Sequence, residues 1–291
     1  MKTIKDCVNC IVTPNLTGTI SYLDFEQSAT SPDELGLKIN QKIIQLEPQS
    51  TLASISDEQV KDLSAMNIDA VGMLKSTLHN EDEQRVTKSI IEKLHNLGIS
   101  SNVKSYTKFH KWANKWFGYV PMQLIRNDED LVRVIHLHSN RIAVKSRRGP
   151  GNFVIVPSEI VCRLQDSPNF VFESLEGLVS GGTCNKIGTL NDRIEIYVDP
   201  YMKYNEREFI IGKTTQSNDP GVYYVTRDVI DEFEIKLQDP LGSTKYTHVR
   251  HEWLGEIGSN AADHFYVVRF SEKKHNLLKH LISKYLGYKN I

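Results

Sequence analysis

The sequence predicts an α+β fold, with a helical block in the first half and a strand-rich second half. Two observations carry this. From Ser56 to Leu97 apolar residues recur at helical spacing, at Val60, Leu63, Val71, Leu74, Leu78, Val86, Ile90, Leu94 and Leu97. After residue 165 the apolar runs shorten to strand length, as in "RIEIYVDPY", "EFIIGKT" and "GVYYVTRD". Asp-Pro, Gly-Lys and Asn-Asp-Pro-Gly turns separate them, the last formed by Asp219, Pro220 and Gly221.

A chain of 291 residues is long enough for one large domain or two smaller ones. Its 40% hydrophobic and 24% charged residues are those of a soluble globular protein. A net charge of −1 argues against a protein built to grip nucleic acid by bulk charge. No apolar run approaches the roughly 20 residues that span a bilayer. In "MKTIKDCVNCIV" Asp6 and Asn9 interrupt any signal-peptide core, so synthesis in the cytosol is expected.

Taken in order, the first 56 residues show no sustained helical period. "GTISYLDF" (Gly18 to Phe25) and "KIIQLEP" (Lys42 to Pro48) read as strands around the polar tip "EQSATSPDELG". They predict a long hairpin, and a lone hairpin is barely stable in water. Its apolar Ile20, Leu23, Ile43 and Leu46 are expected to find partners on an adjacent subunit and to add little to the chain's own core. Ser56 then starts a helix, with Gln59 at the capping-box position. From Asp69 to Leu97 alone such a helix would be about 45 Å long. Gly98 is expected to end it, and "HNEDEQ" to kink it.

"SYTKFHKWANKWFGYVP" (Ser105 to Pro121) interleaves Lys with aromatics, which suits either a core-facing amphipathic segment or a surface that stacks bases and grips phosphates. A further helix starts at Asn127, with acids in its first turn and Lys145, Arg147 and Arg148 at its end, as the helix dipole favours. Gly149 is expected to terminate it.

"RRGPGNFVIV" has the composition of a phosphate cradle but the wrong order. In such cradles the glycines follow a strand and open a helix. Here they precede the apolar run Phe153 to Val156, and a helix begins only after Pro157. Gly149 and Gly151 instead suit a sharp turn into a buried strand, with Asn152 available for turn hydrogen bonds.

Cys7 and Cys10 have the spacing of a zinc knuckle or a redox pair, but a closed zinc site needs two further ligands that the spacing does not supply. With Cys162 and Cys184 they read as reduced thiols. His136 and His138 are two apart, so a regular helix cannot turn both to one metal. "YTHVRHEWLGEIG" and "DHFYVVRF" read as a last hairpin or strand pair, and "SEKKHNLLKHLISKYLGY" as a basic amphipathic helix that suits a membrane surface or, in preference, docking on its own domain or a partner.

Several of these pieces, in this order, resemble the major capsid proteins of T-even-like tailed phages, whose fold is the HK97-type shell fold. They are "PNLTGTISYLDF", "KDLSAMNIDAVGMLKSTLHNEDEQRVTKSIIEKL", "RRGPGNFVIVPSEIVCRL", "IEIYVDPY", "EFIIGKTT" and "NDPGVYYV", spanning about residues 14–225. The family's chains are generally longer, with an N-terminal segment removed by a maturation protease and often an inserted domain. Here Met1 lies close to the hairpin, and no large insert is expected.

The resemblance implies an N-terminal arm at 1–13, an extended hairpin (E-loop) at 14–56 and a spine helix with P-domain at 57–160. A peripheral A-domain at 161–245, strands returning to the P-domain at 246–270 and a C-terminal amphipathic helix at 271–291 complete it. It implies a non-catalytic shell subunit that assembles with copies of itself as hexamers and pentamers around double-stranded DNA. Cofactors and membranes are not expected; vertex, portal and decoration proteins are further expected partners, and contact with the DNA is weak and non-specific. Alternatives are a pentameric vertex subunit, an encapsulin-like protein compartment of the same fold and, outside the structural class, a nucleotide-dependent enzyme using Arg147 to Gly151.

Overall fold

The computed structural model describes residues 2–27, 35–117, 121–173, 183–202, 207–227, 231–236 and 243–271. In chain order the elements are β1 (Asn9–Thr13), β2 (Thr17–Gln27), β3 (Leu35–Gln45), β4 (Glu47–Ser56), α1 (Asp57–Ala65), α2 (Ala70–Ser105) and α3 (Lys108–Phe117). They continue through β5 (Gln123–Leu124), α4 (Asp128–Ser146), β6 (Phe153–Val156), α5 (Ser158–Gln165), β7 (Phe170–Phe172), β8 (Asn185–Leu190) and β9 (Ile194–Val198). The last are β10 (Glu208–Gly212), β11 (Gly221–Arg227), β12 (Asp231–Lys236), β13 (Ser243–Ile257) and β14 (Phe265–Ser271). The chain divides into two units, one of Met1–Cys7, Ile91–Thr214 and Ser259–Ile291, the other of Val8–Ile90 and Thr215–Gly258.

In the second unit β13 is the organising strand. It pairs antiparallel with β4 from Ser243 to Glu252, with β12 from Thr244 to Val249 and with β11 from Glu252 to Ile257. Strand β1 adds to β11 in parallel. The sequence does not foreshadow β4, because Pro48 and its run of Gln, Ser and Thr read as turn material. A proline without an N–H is tolerated there since β4 pairs with β13 alone among the described strands. The expected strand from Lys42 to Pro48 is therefore two, broken at buried Leu46.

Helix α1 starts as expected. The Gln59 N–H donates to Ser56 Oγ at 3.2 Å, and the Ser56 N–H donates to Gln59 Oε1 at 3.0 Å. The long helical stripe is nonetheless two helices. Asn67 takes a left-handed φ of 57°, and Asp69 Oδ1 accepts from the Gly72 N–H at 3.0 Å to open α2. From there α2 runs without interruption through "HNEDEQ".

The first unit holds a seven-stranded sheet in the order β5-β14-β10-β6-β9-β8-β7. All four residues of β6 are buried between antiparallel β10 and parallel β9. Ile135 and Ile142 of α4 and Ile160 and Leu164 of α5 pack on Val154, Val156 and Phe209 of this sheet. This sheet runs across the expected boundary at residue 160, and β13 across that at residue 245. β6 cannot be parted from β9 and β10, and β14 pairs with β10. The segment 161–245 is itself divided at Thr214, and the arm 1–13 at Cys7. The C-terminal helix expected at 271–291 lies outside the described residues apart from Ser271, which ends β14.

Gly98 does not end α2, which continues to Ser105. Its purpose is a close approach. A Cβ there would sit 2.8 Å from Val267 Cγ2 and 3.0 Å from the Val267 amide nitrogen, so the helix rests on the backbone of β14. The sign of Gly98→Ala tests this. Free of contacts, the change should stabilise a helix by about 1 kcal/mol; against β14 it should destabilise the protein by about 1–3 kcal/mol. Urea unfolding at constant m-value measures which sign holds.

Candidate assembly surfaces

The hairpin of β2 and β3 pairs from Thr17↔Gln45 to Gln27↔Leu35. Side chains alternate across a strand, so the four apolar residues expected to work together fall on different sides. Ile20 and Ile44 are buried with Leu46 against Tyr223, Val225 and Ile257 of the same chain. Leu23 is half-buried. Ile43 is 80% exposed and Ile39, on the same face, 67% exposed. The hairpin is thus anchored at its base in its own sheet, and the expectation that it adds little to the chain's core fails for Ile20 and Leu46. The physical reason is β11 and β13, whose apolar face lies under it. Lys42 reinforces the anchor, donating to the Glu256 carbonyl at 3.0 Å and lying 5.2 Å from the Trp253 ring centroid.

Beside that sheet, the part of α2 up to Ile90 meets β13 along a charged seam. Asp82, 1% exposed, pairs with Arg250 Nε and with Arg85, each at 2.8 Å. Arg250 also donates to Glu83 at 2.9 Å, and Arg85 to Glu252 at 2.5 Å. The Tyr224 hydroxyl donates to Glu252 at 2.7 Å. Burial, and then the charge of Glu252, push the Tyr224 hydroxyl far above its ordinary pKa, so it stays a donor. Two guanidiniums thus serve three carboxylates.

The glycine turn belongs to the sheet of the first unit. Helix α4 ends at Arg147, which itself takes the left-handed φ of 54°; Gly149, at φ 105°, follows two residues later and is not the terminating residue. Gly151 is a close approach, since a Cβ there would lie 2.9 Å from Ile142 Cδ1 and 3.1 Å from the Gly212 carbonyl oxygen. Its N–H donates to the Ser139 carbonyl and the Ser139 hydroxyl donates to the Gly151 carbonyl. Asn152 Oδ1 accepts from both the N–H and the hydroxyl of Thr214. The second turn is similarly tied. The Tyr223 hydroxyl donates to the Asp219 carbonyl at 2.7 Å, Pro220 is buried, and the Val222 N–H after Gly221 donates to Thr215 Oγ1. These residues shape the backbone of the two turns.

No cluster of three potential metal-ligating side chains occurs among the described residues. Cys7 and Cys184 are buried, whereas Cys10 and Cys162 are exposed. Burial raises the Cys7 thiol far above its usual value, opposing reactivity. His136 hydrogen-bonds Asn191, while His138 is buried under Tyr266.

A family model described as "Major capsid protein Gp23" matches residues 8–225. The chain belongs to this family. The major capsid protein of Enterobacteria phage T4 is 23% identical over 225 residues, covering 69% of this chain and 41% of that protein. That of Vibrio phage KVP40 is 23% identical over 216 residues, covering 66% and 40%. The chain spans about two fifths of the length of these curated relatives.

Among solved structures, the capsid of Cyanophage P-SCSP1u superposes with a TM-score of 0.55 at 10% identity, covering 94% of this chain and 89% of that one. The SrpI encapsulin of Synechococcus elongatus PCC 7942 gives 0.52 at 9% identity, covering 92% and 87%. These similarities show the fold, which is the HK97-type shell fold.

In this Gp23-family chain the sequence reading found the hairpin and both turns but missed the seam. Asp82 and Glu83 lie in a run of polar residues and Arg250 in a strand-like run, and nothing local joins positions 167 residues apart. The seam makes a strong prediction. Arg250→Met should cost about 3–5 kcal/mol in urea unfolding by stranding buried Asp82, and Asp82→Leu in the same chain should restore most of it. A second prediction concerns the arm, where Lys2 Nζ reaches Glu195 at 2.5 Å. Burial acts to raise the Glu195 pKa, but hydrogen bonds from Lys2 and Tyr197 and the charge of Lys186 leave it lowered. A depressed carboxylate stabilises above its unfolded pKa and loses that contribution as pH falls through its folded value. The stability gap between wild type and Glu195→Gln should therefore be constant from about pH 7 to about pH 5 and close below about pH 4.

Proposed function

We propose that this chain is a non-catalytic shell subunit that assembles with copies of itself, as hexamers and pentamers, into the head of a tailed-phage virion around double-stranded DNA. Membership of the Gp23 family supports the shell role. The observation that carries it is the two-sided hairpin. One face of the β2–β3 pair is packed on its own sheet, and the other presents Ile39 and Ile43 to solvent. Apolar residues displayed together on a pinned, projecting strand pair suit a neighbouring copy that covers them.

In this reading β2–β3 is the E-loop, α2 the spine, and the unit with the seven-stranded sheet the A-domain. In this reading Gly149, Gly151, Asn152 and the Asp219-Pro220-Gly221 turn serve the subunit's own fold. Vertex, portal and decoration proteins are partners at the particle's special positions, and contact with DNA is weak and non-specific. An encapsulin-like compartment is a second reading, favoured by the similarity to SrpI encapsulin; the Gp23 family match favours the phage shell.

Ile43→Lys tests the proposal without touching the core. The variant should melt with the wild type yet sediment only as subunits or small oligomers, whereas Ile20→Lys should unfold the subunit itself. Shells from Ile43→Lys as abundant as from wild type would remove the outward face from the assembly mechanism. The nucleic-acid content of particles from infected cells separates a DNA-filled head from a protein-cargo compartment.

A further inference from the structure

A cavity of about 210 Å³ lies within the first unit, where the end of α2, the first turn of α3, strand β14 and the middle of α4 meet. Its wall includes Asn102, Thr107, His138, Arg141, Tyr266 and Arg269, and among the described residues no Asp or Glu lines it. Two guanidiniums and an imidazole thus share a space without a lining carboxylate among the described residues. Arg269 has a partner in Glu208, to which its Nε donates at 2.7 Å. A third cation stands behind the wall, with Lys145 Nζ 4.5 Å from the Tyr266 ring centroid.

The floor of the cavity is unfinished in hydrogen-bonding terms. His138 is 4% exposed, and neither ring nitrogen has a partner. Asn102 donates its amide to the Val267 carbonyl, while its buried Oδ1 accepts from nothing. Buried polar groups are normally matched, so three unmatched atoms around one polar cavity point to something that fills it. The volume holds about seven waters, or one tetrahedral anion with part of its hydration shell. Water alone would match the floor but bring no charge to the Arg141 guanidinium. A phosphate oxygen would accept from the His138 N–H and from the guanidinium forks, while a water retained beside it would donate to Asn102 Oδ1 and to the acceptor nitrogen of His138.

We propose that this cavity is a seat for a phosphate-class oxyanion, gripped by Arg141 and floored by His138. Burial, and then Arg141 and Lys145, hold the His138 pKa down to about 3, so its ring is neutral and offers one donor to the anion. Lys108, Lys111 and Lys115 recur at helical spacing along α3 and are exposed, with Trp112 49% exposed among them. This helix carries positive charge beyond the cavity, which suits a phosphate borne on a polymer as well as a free one. The two sources share one chemistry. The site is independent of the shell reading and is measured without assembly.

The test uses the purified full chain at low ionic strength, with labelled inorganic phosphate against a chloride-matched blank. Saturable uptake is expected, weakened at least about tenfold in Arg141→Gln and less in Arg141→Lys, which keeps the charge but not the fork. Arg141 is exposed, so both variants should melt as the wild type does. A short DNA duplex that displaces the label from wild type identifies a backbone phosphate as the ligand. A duplex that leaves the label in place identifies free phosphate. No uptake above the blank, or uptake unchanged in Arg141→Gln, overturns the proposal.

Discussion

The seam between α2 and β13 is the contact on which the second unit depends. Alternate residues of β13 face the helix: Tyr246 packs with Leu78, His248 stacks on His79, Arg250 holds Asp82 and Glu83, and Glu252 takes Arg85. Helix and strand run in step. Three residues advance the helix by about 4.5 Å, and two advance the strand by about 6.7 Å. Long arginine side chains absorb the difference. A slip of one residue in β13 would turn Arg250 outward and expose Asp82 alone, so the charges select a register that apolar contacts would select less sharply.

From that register the remaining strands follow. β13 presents one edge to β4 and the other to β12 and β11, and the face of β11 and β13 receives Ile20, Ile44 and Leu46. The hairpin can therefore project Ile39 and Ile43 because its opposite side is already committed. A loose hairpin would lose much of any gain at a neighbour to the entropy of being ordered on contact. Here part of that ordering is done within the subunit. The Gly98 contact between α2 and β14 gives the first unit a comparable fixed point, made by backbone proximity in place of charge.

Legibility in the sequence followed the range of the interaction. The capping box at Ser56 and the turn into β6 are set by neighbours a few residues apart and read directly, while α4 ends at Arg147, two residues before the expected Gly149. The β2–β3 strands announced themselves by composition, while which of their faces was committed did not, because the deciding residues Tyr223, Val225 and Ile257 lie far along the chain. β4 was hidden because its strand state comes from pairing with β13 and not from its own Pro, Ser and Thr. Gly98 read as a stop since a sequence shows that a side chain is missing but not what occupies its place. The sheet that crosses residue 160 was hidden for the same reason, as β14 returns from the far end of the chain to pair with β10.

The non-local base of the hairpin also sets an order of events during synthesis. Lys42 and the Glu256 carbonyl it holds are 214 residues apart, and Trp253 and Ile257 belong to the same base. A ribosome that has made β2 and β3 must translate most of the chain before their platform exists. Until then the hairpin has nothing to lie on, and its outer face has no fixed direction. In the proposed shell reading, the outer face of Ile39 and Ile43 would gain its fixed direction only in a nearly finished subunit.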